Sequence, residues 1–117
     1  MTAVERALRV PVSVDNSSNL SALAEHLLGA LRGQDDAMFI EVSEGIGAGM
    51  LVAGNAYRGA SGSAGEFGHT VIVESGPLCR CGNLGCLEAI AGGDALVAGL
   101  KAHYSGLKLG DVIVRAM

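Results

Sequence analysis

The sequence predicts a single α/β domain, and three observations lead to that prediction. Its 117 residues suffice for one domain and for a sizeable core. Half of the residues are apolar and only 17% are charged, which excludes a disordered chain. Apolar residues recur at helical spacing in one stretch and alternate or run together in others, so helices and strands follow one another along the chain.

The first third of the chain predicts an extended segment and then a helix. Apolar residues alternate over residues 7–14, which indicates a short strand, and Pro11 favours an edge position. The polar run 15–19 is typical of a helix cap, because short side-chain oxygens accept hydrogen bonds from the free amides of a first turn. Leucines and alanines three or four positions apart then predict a helix over residues 20–31, with Gly33 as its stop.

The middle of the chain predicts a hairpin followed by a glycine-rich loop. Residues 37–42 are expected to form a strand, and residues 44–49 a glycine turn. Residues 50–53 resume the extended run as far as the turn pair Gly54-Asn55. Residues 59–68 contain four glycines, which favours an ordered loop.

The last third contains the cysteines and a predicted helix. Residues 70–73 are expected to form a short strand before the cysteine segment 79–86. Residues 87–102 predict a helix that Gly92-Gly93 weakens, and residues 107–117 predict the start of a further helix or strand.

Charge and hydropathy exclude several classes of protein. The formal charge is −4 and the eight Lys and Arg are scattered, so this chain by itself is not expected to bind DNA, RNA or an acidic membrane surface. No apolar stretch approaches the roughly 20 residues of a membrane span. The N-terminus lacks the pattern of a signal peptide, so the expected location is the cytoplasm.

Three cysteines and a histidine form the most specific chemical pattern. Cys79, Cys81 and Cys86 fall within eight residues, and His69 lies ten positions upstream of Cys79. An odd number of close cysteines fits metal ligation in a reducing compartment better than a disulfide framework. Three thiolates and one imidazole suit a closed, tetrahedral, structural zinc site. The alternative is free cysteines beside an unrelated histidine.

Two carboxylates flank this pattern, and a glycine run lies in the predicted hairpin. Glu66 precedes His69 by three residues, and Glu88 follows Cys86 by two. Carboxylates paired with an imidazole can bond the vicinal hydroxyls of a sugar, whereas each carboxylate alone would be a solvated surface group. The amides of residues 45–49 can cradle a phosphate, although a tight hairpin turn explains the same glycines.

Together these residues resemble the signature of the ROK family of repressors, open reading frames and kinases. The residues that carry the resemblance are Gly65-Glu66-Phe67-Gly68-His69 and the run from Cys79 to Glu88, with residues 45–49 similar to the second phosphate loop of the family. The resemblance extends from about Val10 to Val114. It implies an actin-like, ribonuclease H-like sugar kinase fold, in which residues 1–117 would be part of the C-terminal lobe with a zinc-stapled loop. The N-terminal lobe and any helix-turn-helix would be absent.

The resemblance also implies the role of each residue. The zinc ligands would be His69, Cys79, Cys81 and Cys86. The residues that contact a monosaccharide or sugar phosphate would be Asn16, Glu66, His69 and Glu88. In a kinase, Gly45 and Gly47 would lie near the nucleotide phosphate.

The chain departs from the kinases of the family at the position of the general base. Those kinases have Asn-Asp where this chain has Asn16-Ser17. A serine hydroxyl is too weak a base near neutral pH, so no catalytic residue is assigned and kinase activity is not expected. Asp15 is not expected to substitute, because a turn intervenes. The chain also lacks the Asp-x-Gly-x-Thr and Gly-Gly-Gly loops that would complete an ATP site.

Three functions remain open. The first is the sugar-binding, zinc-containing portion of a ROK transcriptional regulator, which would reach DNA only through a domain outside this chain and would form homo-oligomers. The second is a fragment of a ROK sugar kinase of the glucokinase or N-acetylmannosamine kinase type, which would phosphorylate a hexose with ATP. The third is a zinc-stapled structural or oligomerisation module.

Overall fold

The computed structural model describes residues 2–101, and the predicted element at residues 107–117 lies outside them. The helices are α1 (Ala3–Leu8), α2 (Ser17–Leu28), α3 (Leu87–Ala91) and α4 (Gly93–Lys101), and a 3-10 turn covers Phe67–His69. The strands β1 (Ala37–Val42), β2 (Ile46–Val52) and β3 (Asn55–Tyr57) form an antiparallel sheet in the order β1-β2-β3. No helix within residues 2–101 has the length and apolar character needed to cross a bilayer.

The strand predicted over residues 7–14 is wrong. Residues 3–8 form α1, and residues 9–16 pair with no other described strand. A capping box starts the helix: the Thr2 hydroxyl accepts from the amide of Glu5, and the Glu5 carboxylate accepts from the amide of Thr2. Because these two bonds satisfy amides that a first turn leaves free, they stabilise a helix that apolar alternation does not reveal.

Helix α2 confirms the predicted helix, displaced by three residues at both ends. The Asn16 side chain accepts from the amide of Ser18 at 2.8 Å, so the polar cluster supplies both the cap and the first turn. The helix ends at Gly29 rather than Gly33. The Glu25 carboxylate accepts from the amide of Ala30 at 2.7 Å, which fixes the chain as it leaves the helix.

The predicted hairpin is confirmed, but its turn is shorter than expected. Strand β2 begins at Ile46, so Gly47 and Gly49 belong to the strand rather than to the turn. A Cβ on Gly49 would overlap the carbonyl oxygen of Ser18 and lie 2.8 Å from Cβ of Ala22. These glycines therefore let α2 pack directly on the backbone of β2, and this contact sets the first turn of α2 beside the hairpin turn.

The glycine-rich loop covers the part of β2 that β3 does not reach, since β3 pairs only with residues 50–52. A Cβ on Gly65 or Gly68 would overlap a carbonyl oxygen of β2. The strand predicted over residues 70–73 is wrong: among the described residues, Val71 forms a single bridge with Cys86. This bridge brings the loop to the cysteine segment.

The predicted C-terminal helix is broken in two. Helix α3 ends at Gly92, and α4 starts at Gly93. The amide of Gly93 donates to the carbonyl of Ser43 at 2.8 Å, so the break docks on the turn between β1 and β2. The part of the predicted helix beyond residue 101 lies outside the described residues.

Candidate functional site

The four predicted metal ligands lie together. One donor atom from each of His69, Cys79, Cys81 and Cys86 falls within 4.8 Å of the other three. The Cys79 Sγ lies 3.5 Å from Nδ1 of His69, and the Sγ atoms of Cys81 and Cys86 lie 3.6 Å apart. Tetrahedral zinc with bonds of about 2.1 Å to nitrogen and 2.3 Å to sulfur requires donors about 3.5 to 3.8 Å apart. The cluster can therefore hold a metal ion, and its donor set suits zinc.

The backbone of the cysteine segment explains how three sulfurs converge. The amide of Cys79 donates to the carbonyl of Asn83 at 2.8 Å, and the amide of Gly82 donates to the carbonyl of Cys79 at 2.9 Å. Gly85, at φ +71, continues the chain where a Cβ would overlap the carbonyl oxygen of Val73. This local turn brings Cys79 and Cys81 close together, and Cys86 reaches the cluster from the N-terminal cap of α3.

The three thiols differ in their surroundings. Cys79 and Cys86 are buried, whereas Cys81 is exposed. Burial raises the pKa of Cys86 to about 12, and its Sγ lies 3.5 Å from the carbonyl oxygen of His69. The backbone amide of Asn83 lowers the pKa of Cys81. A metal must displace the proton of Cys86, so the affinity of the cluster for a metal depends on pH.

His69 connects the cluster to the first carboxylate. Its Nδ1 faces Cys79, and its Nε2 lies 3.8 Å from Oε2 of Glu66. A metal bound at Nδ1 leaves the proton on Nε2, so the ring would act as a donor on the side of Glu66. The 3-10 turn at residues 67–69 fixes this orientation.

The second carboxylate, Glu88, is buried and bonded to two neighbouring segments. Its Oε1 lies 2.7 Å from Nε of Arg80 in an ion pair, and its Oε2 accepts a hydrogen bond from Nη2 of Arg80 at 2.8 Å. Oε2 also accepts from the amide of Ile46 at 2.9 Å. Glu88 thus joins α3, the cysteine segment and the start of β2.

A cavity of about 240 Å³ gathers the remaining predicted residues. The predicted residues that line it are Asn16, Ser17, Gly45, Gly47, Glu66, His69 and Glu88. This volume lies just below the range of about 300 to 1,000 Å³ typical of sites for drug-sized ligands, so it suits a smaller one. The cavity forms where the first turn of α2, the hairpin turn, the 3-10 turn and α3 meet.

The first turn of α2 presents Asn16 and Ser17 to this cavity and directs Asp15 elsewhere. Asp15 accepts from Nε of Arg58 at 2.8 Å and from Nδ2 of Asn19 at 3.1 Å. The bond from Arg58 is the main cause that lowers the pKa of Asp15 to about 2. A carboxylate with so low a pKa is a weak base, and Asp15 is not among the residues that line the cavity.

The two loop glycines have packing roles at the cavity wall. A Cβ on Gly45 would overlap Oε2 of Glu88 and lie 2.6 Å from Nη2 of Arg80. A Cβ on Gly47 would overlap Oγ of Ser18. Their positions therefore bring the backbone of the hairpin close to the predicted sugar residues.

Sequence reasoning missed three charged residues that line the cavity, namely Glu41, Glu44 and Arg80. The alternation of β1 places Glu41 on the face of the sheet toward α2, since it pairs with Gly47. Arg80 lies between Cys79 and Cys81. Its place between two predicted metal ligands was the signal that could have indicated a position near the cavity. Nothing local in the sequence pointed to Glu44.

Comparison with known proteins gives a consistent family. The sequence model of the ROK family matches residues 1–117. The chain is 37% identical over 112 residues to the xylose repressor of Bacillus subtilis, covering 96% of this chain and 29% of that protein. It is 44% identical over 89 residues to the glucokinase of Halalkalibacterium halodurans, covering 75% of this chain and 27% of that protein.

A solved structure gives the same result for the fold. The ROK hexokinase of Thermus thermophilus matches with a TM-score of 0.76 and 43% identity, over 85% of this chain and 34% of that one. The chain thus spans about a third or less of these relatives, and both a repressor and sugar kinases are among them.

Proposed function

We propose, since this chain belongs to the ROK family, that it is the sugar-binding, zinc-containing portion of a transcriptional regulator and has no kinase activity of its own. The observation that carries the proposal is Ser17, which lines the cavity at the position of the family's aspartate base. Residues 1–117 would be part of the C-terminal lobe, and DNA would be bound by a domain outside this chain. Such a regulator would act in the cytoplasm as a homo-oligomer.

The absence of a base at residue 17 separates a regulator from a kinase. Phosphoryl transfer needs a group that takes the proton from the attacking sugar hydroxyl. Ser17 is exposed to the cavity but its hydroxyl is not basic near neutral pH. Asp15 is committed to Arg58 and does not reach the cavity wall.

The cavity is suited to a neutral sugar rather than a sugar phosphate. The carboxylates that line it are Glu41, Glu44, Glu66 and Glu88. Among the described residues, the one arginine that lines it is Arg80, and Arg80 is already paired with Glu88. Like charges repel in a partly desolvated site, so a phosphate would be disfavoured, whereas hydroxyl groups can donate to carboxylates. We infer that Asn16, Glu66, His69 and Glu88 bind the hydroxyls.

The proposed zinc would be structural. Held by His69, Cys79, Cys81 and Cys86, it would have no open position for substrate. It would fix the ring of His69 and the loop that carries Glu66, so that both face the cavity. Metal and sugar would then be linked through one side chain.

A kinase fragment is the second candidate. Gly45 and Gly47 line the same cavity as the sugar residues, as a phosphate loop would. The relatives include a glucokinase at 44% identity. These features occur beside the sugar site in regulators and in kinases alike, so the residue at position 17, where a kinase has its proton acceptor, decides between the two classes.

Ser17→Asp tests the proposal. We expect the intact protein to phosphorylate neither glucose, xylose nor N-acetylmannosamine with ATP, and Ser17→Asp to raise that rate by about 100-fold or more if the rest of the kinase machinery is present. A coupled assay of ADP release measures both rates. Ser43→Asp is the matched control, because it adds the same carboxylate to the cavity wall at the hairpin turn and not at the first turn of α2. Phosphorylation by the unmodified protein would refute the regulator and favour the kinase.

A further inference from the structure

We propose that Arg80 is a positioning residue that orients Glu88 toward one hydroxyl of the bound sugar. The inference rests on the proposed function, namely that the cavity binds a sugar. It assigns to Arg80 a role in which the arginine contacts the carboxylate and acts on the ligand through it.

The hydrogen bonds of Glu88 leave a defined acceptor. The guanidinium of Arg80 contacts both carboxylate oxygens: Nη2 donates to Oε2 at 2.8 Å, and Nε lies 2.7 Å from Oε1 in the ion pair. The amide of Ile46 donates a second hydrogen bond to Oε2 at 2.9 Å. An ionised carboxylate offers about four acceptor positions. Hydrogen bonds occupy both positions on Oε2, and the ion-pair contact with Nε covers one side of Oε1, so the open position lies on Oε1. Glu88 therefore presents one acceptor in a fixed direction.

The exposure of the two partners is unequal. Glu88 has 8% of its side chain exposed, and Arg80 has 72%. A buried carboxylate needs a charged or hydrogen-bonding partner, whereas an arginine this exposed is solvated without one. The ion pair therefore serves to orient Glu88, because without it the orientation of Glu88 would depend on the single hydrogen bond from the amide of Ile46.

The backbone around Arg80 is also fixed. Arg80 lies between Cys79 and Cys81, and both neighbours belong to the metal cluster. On the opposite side, Gly45 leaves no room for a Cβ beside the ion pair. The bidentate fork of an arginine fits this geometry, and a lysine would make one bond in its place.

The ion pair also forms a wall of the cavity. A second cavity of about 320 Å³ lies on its other side, and both cavities are lined by Glu44, Arg80 and Glu88. Removal of the guanidinium would free Glu88 to turn toward either space. Selectivity between sugars that differ at one hydroxyl should then fall together with affinity.

Calorimetric titration of the intact protein with glucose, xylose and N-acetylmannosamine tests the proposal, with zinc content measured for each variant. We expect Arg80→Met to weaken binding of the preferred sugar by about 10- to 100-fold at unchanged zinc content, the same size of effect as losing a residue that orients a metal ligand. Arg80→Lys should lie between Arg80→Met and the unmodified protein. Arg32→Met, an exposed arginine outside the cavity, should bind as the unmodified protein does.

A double-mutant cycle identifies the route of the effect. If Arg80 acts through Glu88, Arg80→Met should weaken binding little further once Glu88→Gln is present. Equal affinity of Arg80→Met and the unmodified protein would overturn the inference, as would an effect of the same size in the Glu88→Gln background. If Arg80→Met lost its zinc, Arg80→Lys at full zinc content would decide in the same way. An unmodified protein that retains zinc and binds no sugar would refute the proposed function, and this inference with it.

Discussion

Replacement of Cys81 by serine is expected to unfold residues 69–88 locally and to leave α2 on its sheet. Metal binding by three thiolates and an imidazole supplies about 10 to 16 kcal/mol in small zinc domains, and this energy is folding energy. Few apolar contacts replace it here, because Leu78 and Leu84, which bridge the segment, are exposed. Loss of one ligand should therefore release the segment.

Amide hydrogen exchange measures this result directly. The amides of Cys79, Gly85 and Leu87 donate to backbone carbonyls within residues 69–88. We expect these amides to exchange near the unprotected rate in Cys81→Ser. Amides of α2 and β1 should keep their protection. Chelation of the metal from the unmodified protein is the control, and it should reproduce the same map. Unchanged protection of residues 69–88 in Cys81→Ser would show that the cluster holds no structural metal.

The second large effect is expected at Gly49. An added methyl group would overlap the carbonyl oxygen of Ser18 and lie 2.8 Å from Cβ of Ala22. Both atoms belong to α2 and neither is on a flexible side chain, so they can yield only if α2 moves away from the sheet. Overpacking of this kind costs about 1 to 3 kcal/mol, and contact with backbone favours the upper end. Gly49→Ala should therefore lower the free energy of unfolding by about 3 kcal/mol, measured by urea denaturation.

Gly99→Ala is the matched control for Gly49. Gly99 lies in α4, and a methyl group there meets no described atom within 4 Å. The free energy of unfolding should stay the same or rise by up to about 1 kcal/mol, because alanine favours the helix. Equal losses in both variants would contradict close packing of α2 on β2.

Local patterns predicted the elements whose causes are local. The spacing of leucines predicted α2, and the run of residues 37–42 predicted β1, because one side of each meets the core. Helix α1 was missed although Thr2 and Glu5 form a capping box, a signal that the alternation of later residues obscured. The interruption at Gly92 was predicted as a weakness of the helix but not as its end.

Features caused by distant contacts were not predictable from local patterns. Gly47 and Gly49 were assigned to a turn, because the sequence alone does not distinguish a glycine that allows a turn from one that allows another element to pack closely. The cluster of His69 with the cysteines was predicted from donor types that suit one metal. The bond of Glu88 to Arg80 spans eight residues and depends on the course of the whole cysteine segment, so spacing alone did not reveal it.

Calorimetric titration of the zinc-loaded, intact protein with neutral sugars and with their phosphates tests the central claim most directly. We expect one site per chain that binds a neutral sugar and excludes its phosphate. Glu66→Gln should weaken that binding, whereas Glu74→Gln, an exposed carboxylate outside the cavity, should not. Binding of the phosphate in preference to the neutral sugar, or no saturable binding of any sugar at full zinc content, would contradict the account.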